Sequence, residues 1–121
     1  MTITLGPIII GVRSIEKSRE FYEKVFGFIE SESSNHYLAG HISGAFVEIE
    51  EDSPHRLPYW AKGNIGTYKN SEFYVDDITL FTETVVEYWW TILTPPRDMP
   101  WGWRNAEIAD PDKNIFLISQ K

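Results

Sequence analysis

The segment Val12-Arg13-Ser14-Ile15-Glu16-Lys17-Ser18-Arg19-Glu20-Phe21-Tyr22-Glu23-Lys24-Val25-Phe26-Gly27-Phe28 decides the fold of this 121-residue chain. Ile15, Ser18, Tyr22 and Val25 recur at three- and four-residue steps, and Phe21 and Phe26 widen the stripe. That spacing predicts an amphipathic helix over 15–26. Ser14 stands where a hydroxyl caps the first turn, and Gly27 where the chain leaves a helix through a left-handed conformation. Glu20 and Lys24 add a favourable i,i+4 pair on the opposite face. The same punctuation returns 63 positions on: Val75-Asp76-Asp77-Ile78 repeats Val12-Arg13-Ser14-Ile15, and Glu83 repeats Glu20. A second helix is therefore expected from Ile78 to about Trp89, capped by Asp77. Its Thr- and Val-rich sequence alone would pass for a strand.

Strands fill the space around the helices. Ile3 to Val12, with its β-branched run Ile8-Ile9-Ile10, predicts a largely buried strand. Phe28–Ser33, His36–Ile42 and Ala45–Glu50 predict three more, the last two joined by a Ser43-Gly44 turn. Alternation puts Ala45, Val47 and Ile49 on one face of the last strand and Phe46, Glu48 and Glu50 on the other. Residues 51–66, with two prolines and two glycines, form a long connection. The second half predicts a strand near Thr91–Leu93, a Pro-rich loop over 94–100, and strands near Trp103–Ala109 and Ile115–Ser119. The last two flank the turn Asp110-Pro111-Asp112-Lys113-Asn114. The sum is an α+β chain of two β-α-β-β-β modules, about 1–55 and 67–121, within a single domain spanning 1–121.

Composition narrows the function. Eleven basic against eighteen acidic residues leave a net charge of −7, which argues against the basic face of a nucleic-acid-binding domain. The absence of cysteine excludes a disulfide scaffold, a thiol nucleophile and thiolate metal sites. No apolar run reaches membrane-spanning length and the first residues lack a basic leader, so a soluble cytoplasmic domain with no membrane partner is expected. There is no Gly-x-Ser-x-Gly elbow and no glycine-rich phosphate loop. Aromatic residues reach 15%, with five Trp, an excess that needs a use.

Three segments share one resemblance. They are Val12-x-Ser14-Ile15-x-x-Ser18-x-x-Phe21-Tyr22-x-x-Val25-Phe26-Gly27-Phe28, then Val75-Asp76-Asp77-Ile78, then Trp101-Gly102-x-Arg104 running into Asp110-Pro111-Asp112-Lys113-Asn114. In this order they resemble the vicinal-oxygen-chelate superfamily of glyoxalase I, bleomycin-resistance proteins, extradiol dioxygenases and fosfomycin-resistance enzymes. Lys113 replaces the usual Gly of the last turn. The resemblance implies curved sheets around a cup, and a homodimer. It also implies metal ligands on the first and fourth strands of each module, which here fall on Pro7, Glu48, Asn70 and Leu117. Proline and leucine carry no donor, and an amide is a poor substitute for the His often found there. Only Glu48 survives, so neither a metal nor another cofactor is expected. His36, His41 and His55 show no ligand spacing to rebuild one.

The resemblance implies further that Phe46, Glu48 and Glu50 face the cup from module one and Asn70, Glu72 and Tyr74 from module two. Trp101 and Trp103 enter the last hairpin, and Trp60 follows Tyr59 in the long connection. Arg104 either touches ligand or pairs with an acidic side chain, and Trp89 and Trp90 are expected to end the second helix in the core. Rings and carboxylates together suit a cationic aromatic ligand. The expected function is metal-independent small-molecule binding of the bleomycin-resistance type, sequestering a cationic aromatic antibiotic or metabolite. The alternative is an enzyme: a glyoxalase-like lyase or isomerase, a dioxygenase with an atypical metal site, or an acid–base catalyst using Glu48.

Overall fold

The computed structural model of the chain describes residues 1–51, 65–66 and 68–121, with residues 68–71 described by their backbone. The chain divides into two compact units, Met1–Ile65 and Gly66–Lys121. Trp60, Tyr59, His55 and most of the long connection lie outside the described residues. Unit one runs β1 (Ile8–Val12), α1 (Ile15–Phe26), β2 (Ile29–Ser33), β3 (Tyr37–Ile42) and β4 (Ala45–Glu51). Unit two repeats the order with β5 (Tyr68–Tyr74), α2 (Ile78–Glu87), β6 (Thr91–Asp98), β7 (Arg104–Ala109) and β8 (Ile115–Gln120). The sheets have equivalent strand orders, β1-β4-β3-β2 and β5-β8-β7-β6. In each, the first strand runs parallel to the last and the remaining pairs are antiparallel. These are the two β-α-β-β-β modules of the α+β fold expected.

Local chemistry explains the helix boundaries. The Ser14 hydroxyl accepts from the Lys17 amide at 3.3 Å, and Gly27 ends α1 at φ 66° with its N–H on the Glu23 carbonyl. Ile15, Ser18, Tyr22 and Val25 form its buried face. Asp77 caps α2 by accepting from the Leu80 amide at 3.0 Å. Gln120 of β8 accepts the Ile78 amide at 2.8 Å, tying the start of the helix to the sheet. Ile78, Thr82 and Val85 are its buried residues.

Three boundaries differ from expectation. Helix α2 stops at Glu87 because Trp89 takes a left-handed φ of 70°. Only Trp90 then enters the core, 4% exposed and stacked on Phe116 at 6.0 Å, while Trp89 is 84% exposed. Strand β1 begins at Ile8 rather than Ile3, just after Pro7, and the residues before Pro7 are exposed. Strand β6 continues through Pro95-Pro96, where a loop was expected. It is the edge of its sheet, where a proline forfeits no ladder bond, and it accommodates the pair through register shifts on either side of Thr94.

The helix-side face of each sheet is apolar. Ile10, Val12, Leu38, Val47 and Ile49 are buried in unit one, and Ile108, Phe116 and Ile118 in unit two. Each such side chain stabilises the fold by about 1.5–3 kcal/mol.

The β7–β8 turn fixes the register on which unit two's face depends. Asp110 Oδ1 accepts the amides of Asp112 at 2.9 Å and Asn114 at 2.8 Å. The fully buried Asn114 donates its amide to Asp110 Oδ2 at 2.9 Å, and its Oδ1 accepts from the Gly66 N–H at 3.0 Å. Lys113 takes φ 65°, which explains why a glycine suits this position. Two variants of this turn should move in opposite directions on urea unfolding. Asn114→Ala should lose about 2–3 kcal/mol, since it leaves buried groups unpaired. Lys113→Gly should gain up to about 1 kcal/mol, relief of left-handed strain exceeding the added chain entropy. A lower midpoint for Lys113→Gly would show that the lysine side chain itself holds the turn.

Candidate functional site

Because side chains alternate along a strand, the face of each sheet opposite its helix collects every second residue. In unit one the cross-strand row Ile9–Glu48–Ala39–Glu32 lies on this helix-free face, beside Gly11–Glu50–Tyr37. Phe46 stacks on its cross-strand partner His41 with ring centroids 5.6 Å apart. The Tyr37 hydroxyl donates to Glu32 Oε1. That bond, with desolvation and the charges of Glu32 and Glu48, holds the Tyr37 phenol above its ordinary value. Phe46 is exposed and Glu48 and Glu50 are half-buried, so one ring and two carboxylates share the surface as their alternation predicted.

Unit two builds a more elaborate face. Phe73 packs edge-on against buried Phe116 on the helix side, which turns Glu72 and Tyr74 to the other side. The register then lays out two adjacent rows, Glu72–Leu117–Glu107–Thr94 and Tyr74–Ser119–Asn105–Arg97. Glu72 accepts the Ser119 hydroxyl at 2.6 Å and also the Tyr74 hydroxyl. The latter bond, with desolvation and the Glu72 charge, holds the Tyr74 phenol above its ordinary value of 10.0. The Tyr74 and Trp103 rings meet edge to face at 5.7 Å. The Lys121 ammonium lies 4.2 Å from the centre of the Tyr74 ring and 5.3 Å from that of Trp103.

The structure thus brings Glu72, Tyr74 and Trp103 together, and places Phe46, Glu48 and Glu50 on one face of unit one. Trp101 is 60% exposed, two residues before Trp103. Asn70 lies on β5 where the β5–β8 register shifts. Arg104 does not join the group. It pairs with Asp98 at 3.5 Å and stands opposite Gln120, the residue that caps α2 on the helix side. Sequence reasoning missed Lys121, Ser119, Asn105 and Glu107. The signal for the last two was available, since Asn105 and Glu107 alternate with the core residues Ala106 and Ile108.

The positions at which the resemblance implies a divalent metal do not fit one. Pro7 precedes β1 and Leu117 sits on β8, and neither side chain has a lone pair to offer. Glu48 and Asn70 remain, on β4 and β5, and two donors are too few for a catalytic centre. Among the described residues no three His, Asp or Glu side chains converge at metal-binding separations.

Two four-stranded sheets, each with one covering helix and one helix-free face carrying rings and carboxylates, define a class of small α+β proteins built from paired β-α-β-β-β modules. The family model described as Glyoxalase/Bleomycin resistance protein/Dioxygenase superfamily matches residues 4–118, and the chain belongs to that superfamily. A solved member from Sphaerobacter thermophilus is 25% identical, with a TM-score of 0.75 over 99% of this chain and 98% of that one. The fosfomycin resistance protein FosX from Listeria monocytogenes is 20% identical, with a TM-score of 0.73 over 100% and 95% of the two chains. A hypothetical protein from S. aureus reaches 0.80 at 18% identity, over 100% and 96%. These last two share the fold. No curated protein matches the chain. No helix among the described residues is long and apolar enough to cross a membrane.

The Tyr74–Glu72 bond has a pH signature. A raised phenol value means that the neutral form is the stabilising one. Its contribution is complete below the unfolded value of about 10 and is lost as pH rises through the folded value. In a tyrosinate absorbance titration, Glu72→Gln should shift one late transition down toward 10 and Tyr74→Phe should delete it. A profile unchanged by Glu72→Gln would show that the bond does not form in solution.

Proposed function

We propose that this protein binds a cationic small molecule with an aromatic or apolar portion, without a metal, and protects by sequestering it. The observation that carries the reading is the Lys121 ammonium held against the Tyr74 and Trp103 rings, with Glu72 bonded to Tyr74. An intramolecular alkylammonium in that position is a substitute ligand. It occupies the geometry that a bound cation would take up, with the ring faces supplying the quadrupole. The net charge of −7 favours cation approach. Donor-poor Pro7 and Leu117 support recognition by rings and charge rather than by a metal. The bleomycin-resistance component of the family description supports an antibiotic or a comparable cationic metabolite as the cargo.

Tryptophan fluorescence provides the test, with benzyltrimethylammonium and a bleomycin as probes. Both should quench saturably, and equally well in excess EDTA. Lys121→Met removes the internal competitor and should tighten binding about two- to fivefold, matching an exposed cation–π contact of about 0.5–1 kcal/mol. Glu72→Gln should weaken it about threefold, a charge contact of roughly 0.7 kcal/mol. Absence of saturable quenching by either probe would overturn the cationic reading, and loss of binding in EDTA would overturn its metal independence.

A further inference from the structure

Beside the β7–β8 turn, unit two has a cavity of about 630 Å3 whose lining includes Trp89, Thr91, Leu93, Asp110, Lys113 and Ile115. That volume suits a small organic ligand. Among the described residues three that are not glycine take a left-handed backbone. Two of them, Trp89 at φ 70° and Lys113 at φ 65°, line this cavity. Each stands where a glycine would be free of strain: Trp89 follows Tyr88, the cap of α2, and Lys113 sits in the turn between β7 and β8. The chain bears the strain at both places and so sets two side chains on one cavity, a ring that is 84% exposed and an exposed ammonium. Among the described residues Lys113 makes no ion pair. Asp110 is 3% exposed, and its carboxylate accepts from the Asp112 and Asn114 amides and from the Asn114 side chain. The cavity therefore presents a cation, the Thr91 hydroxyl, and an apolar surface of Trp89, Leu93 and Ile115.

A cationic ligand would face Lys113, and a purely apolar one would desolvate the ammonium without pairing it. We propose that the cavity binds a small aromatic carboxylate. Its ring lies against Trp89, Leu93 and Ile115, and its carboxylate pairs with the Lys113 ammonium and accepts from the Thr91 hydroxyl. This site is separate from the Tyr74–Trp103 pair. Cross-strand register puts Thr91, Ala109 and Ile115 in one row of the helix-free face, and Glu107 and Leu117 lie between it and the row of Tyr74, Ser119 and Asn105. Occupation of the cavity therefore does not depend on the cationic ligand assigned to those rings.

Calorimetric titration of the full chain with 2-naphthoate and its neutral analogue naphthalene-2-carboxamide tests the assignment. The acid should bind saturably and at least about tenfold more tightly than the amide, the size of one charge-assisted contact. Lys113→Gly should reduce the acid to the affinity of the amide, and Lys113→Arg, which keeps the charge, should retain tight binding. Trp89→Gly should weaken acid and amide alike, by about three- to tenfold. Neither glycine variant should lower the melting temperature, because glycine takes the left-handed backbone without strain. Equal binding of acid and amide, or an acid affinity unaffected by Lys113→Gly, would overturn the proposal. Loss of acid binding in Lys113→Gly together with a lower melting temperature would do so too, by making the lysine a structural part of the turn. Displacement of the acid by benzyltrimethylammonium would merge the two sites and overturn their separation. Failure of the acid to bind while benzyltrimethylammonium still quenches would reject this cavity alone.

Discussion

A four-stranded sheet has two faces, and one amphipathic helix covers one of them. Each unit of this chain has one helix among its described residues, and everything else about the candidate site follows from that shortage. Strand alternation sends Val47, Ile49, Ile108, Phe116 and Ile118 under the helices, where they are fully buried. The intervening residues are sent to the uncovered side, where Phe46 is 44% and Tyr74 55% exposed. A slip of one residue would exchange the two sets. The buried Asp110–Asn114 turn and the Gln120 contact to the start of α2 therefore protect the site as much as the core.

On the uncovered face of unit two the chemistry is ordered by cross-strand register. Glu72 gathers two hydroxyl donors, Ser119 and Tyr74, and so fixes the ring that meets Trp103. Lys121 then occupies the ring surface. Two strands along the same cross-strand row, the buried Asn105 keeps an acceptor without a donor. Tyr74 and Asn105 thus lie on one surface, linked through the row Tyr74–Ser119–Asn105–Arg97.

Much of this was legible in the amino-acid sequence. Ser14, Gly27 and Asp77 announced the helix ends through capping chemistry that is local, and the repeat of Val12–Ile15 at Val75–Ile78 rescued a helix whose own propensities favour strand. The parity of Phe46, Glu48 and Glu50 follows directly from alternation. What escaped was tertiary. The Pro95-Pro96 pair reads as a loop until β6 is known to be an edge. Trp89 and Trp90 are chemically identical neighbours, and the left-handed backbone at Trp89 decides which of them is buried. Arg104 differs from Trp103 and Asn105 only in parity, which places it on the helix side with Asp98. The contact of Lys121 with Tyr74 depends on the parallel pairing of β5 with β8, strands far apart in the chain, and no local pattern announces it.

The most direct measurement is a two-dimensional NMR titration of the full chain with benzyltrimethylammonium. Recognition by the helix-free face of unit two predicts saturable shifts at Tyr74, Trp103, Ser119 and Lys121, with the exposed residues of α2 unmoved. Shifts confined to other surfaces, or none as the cation is raised, would contradict a ligand-binding role for that face.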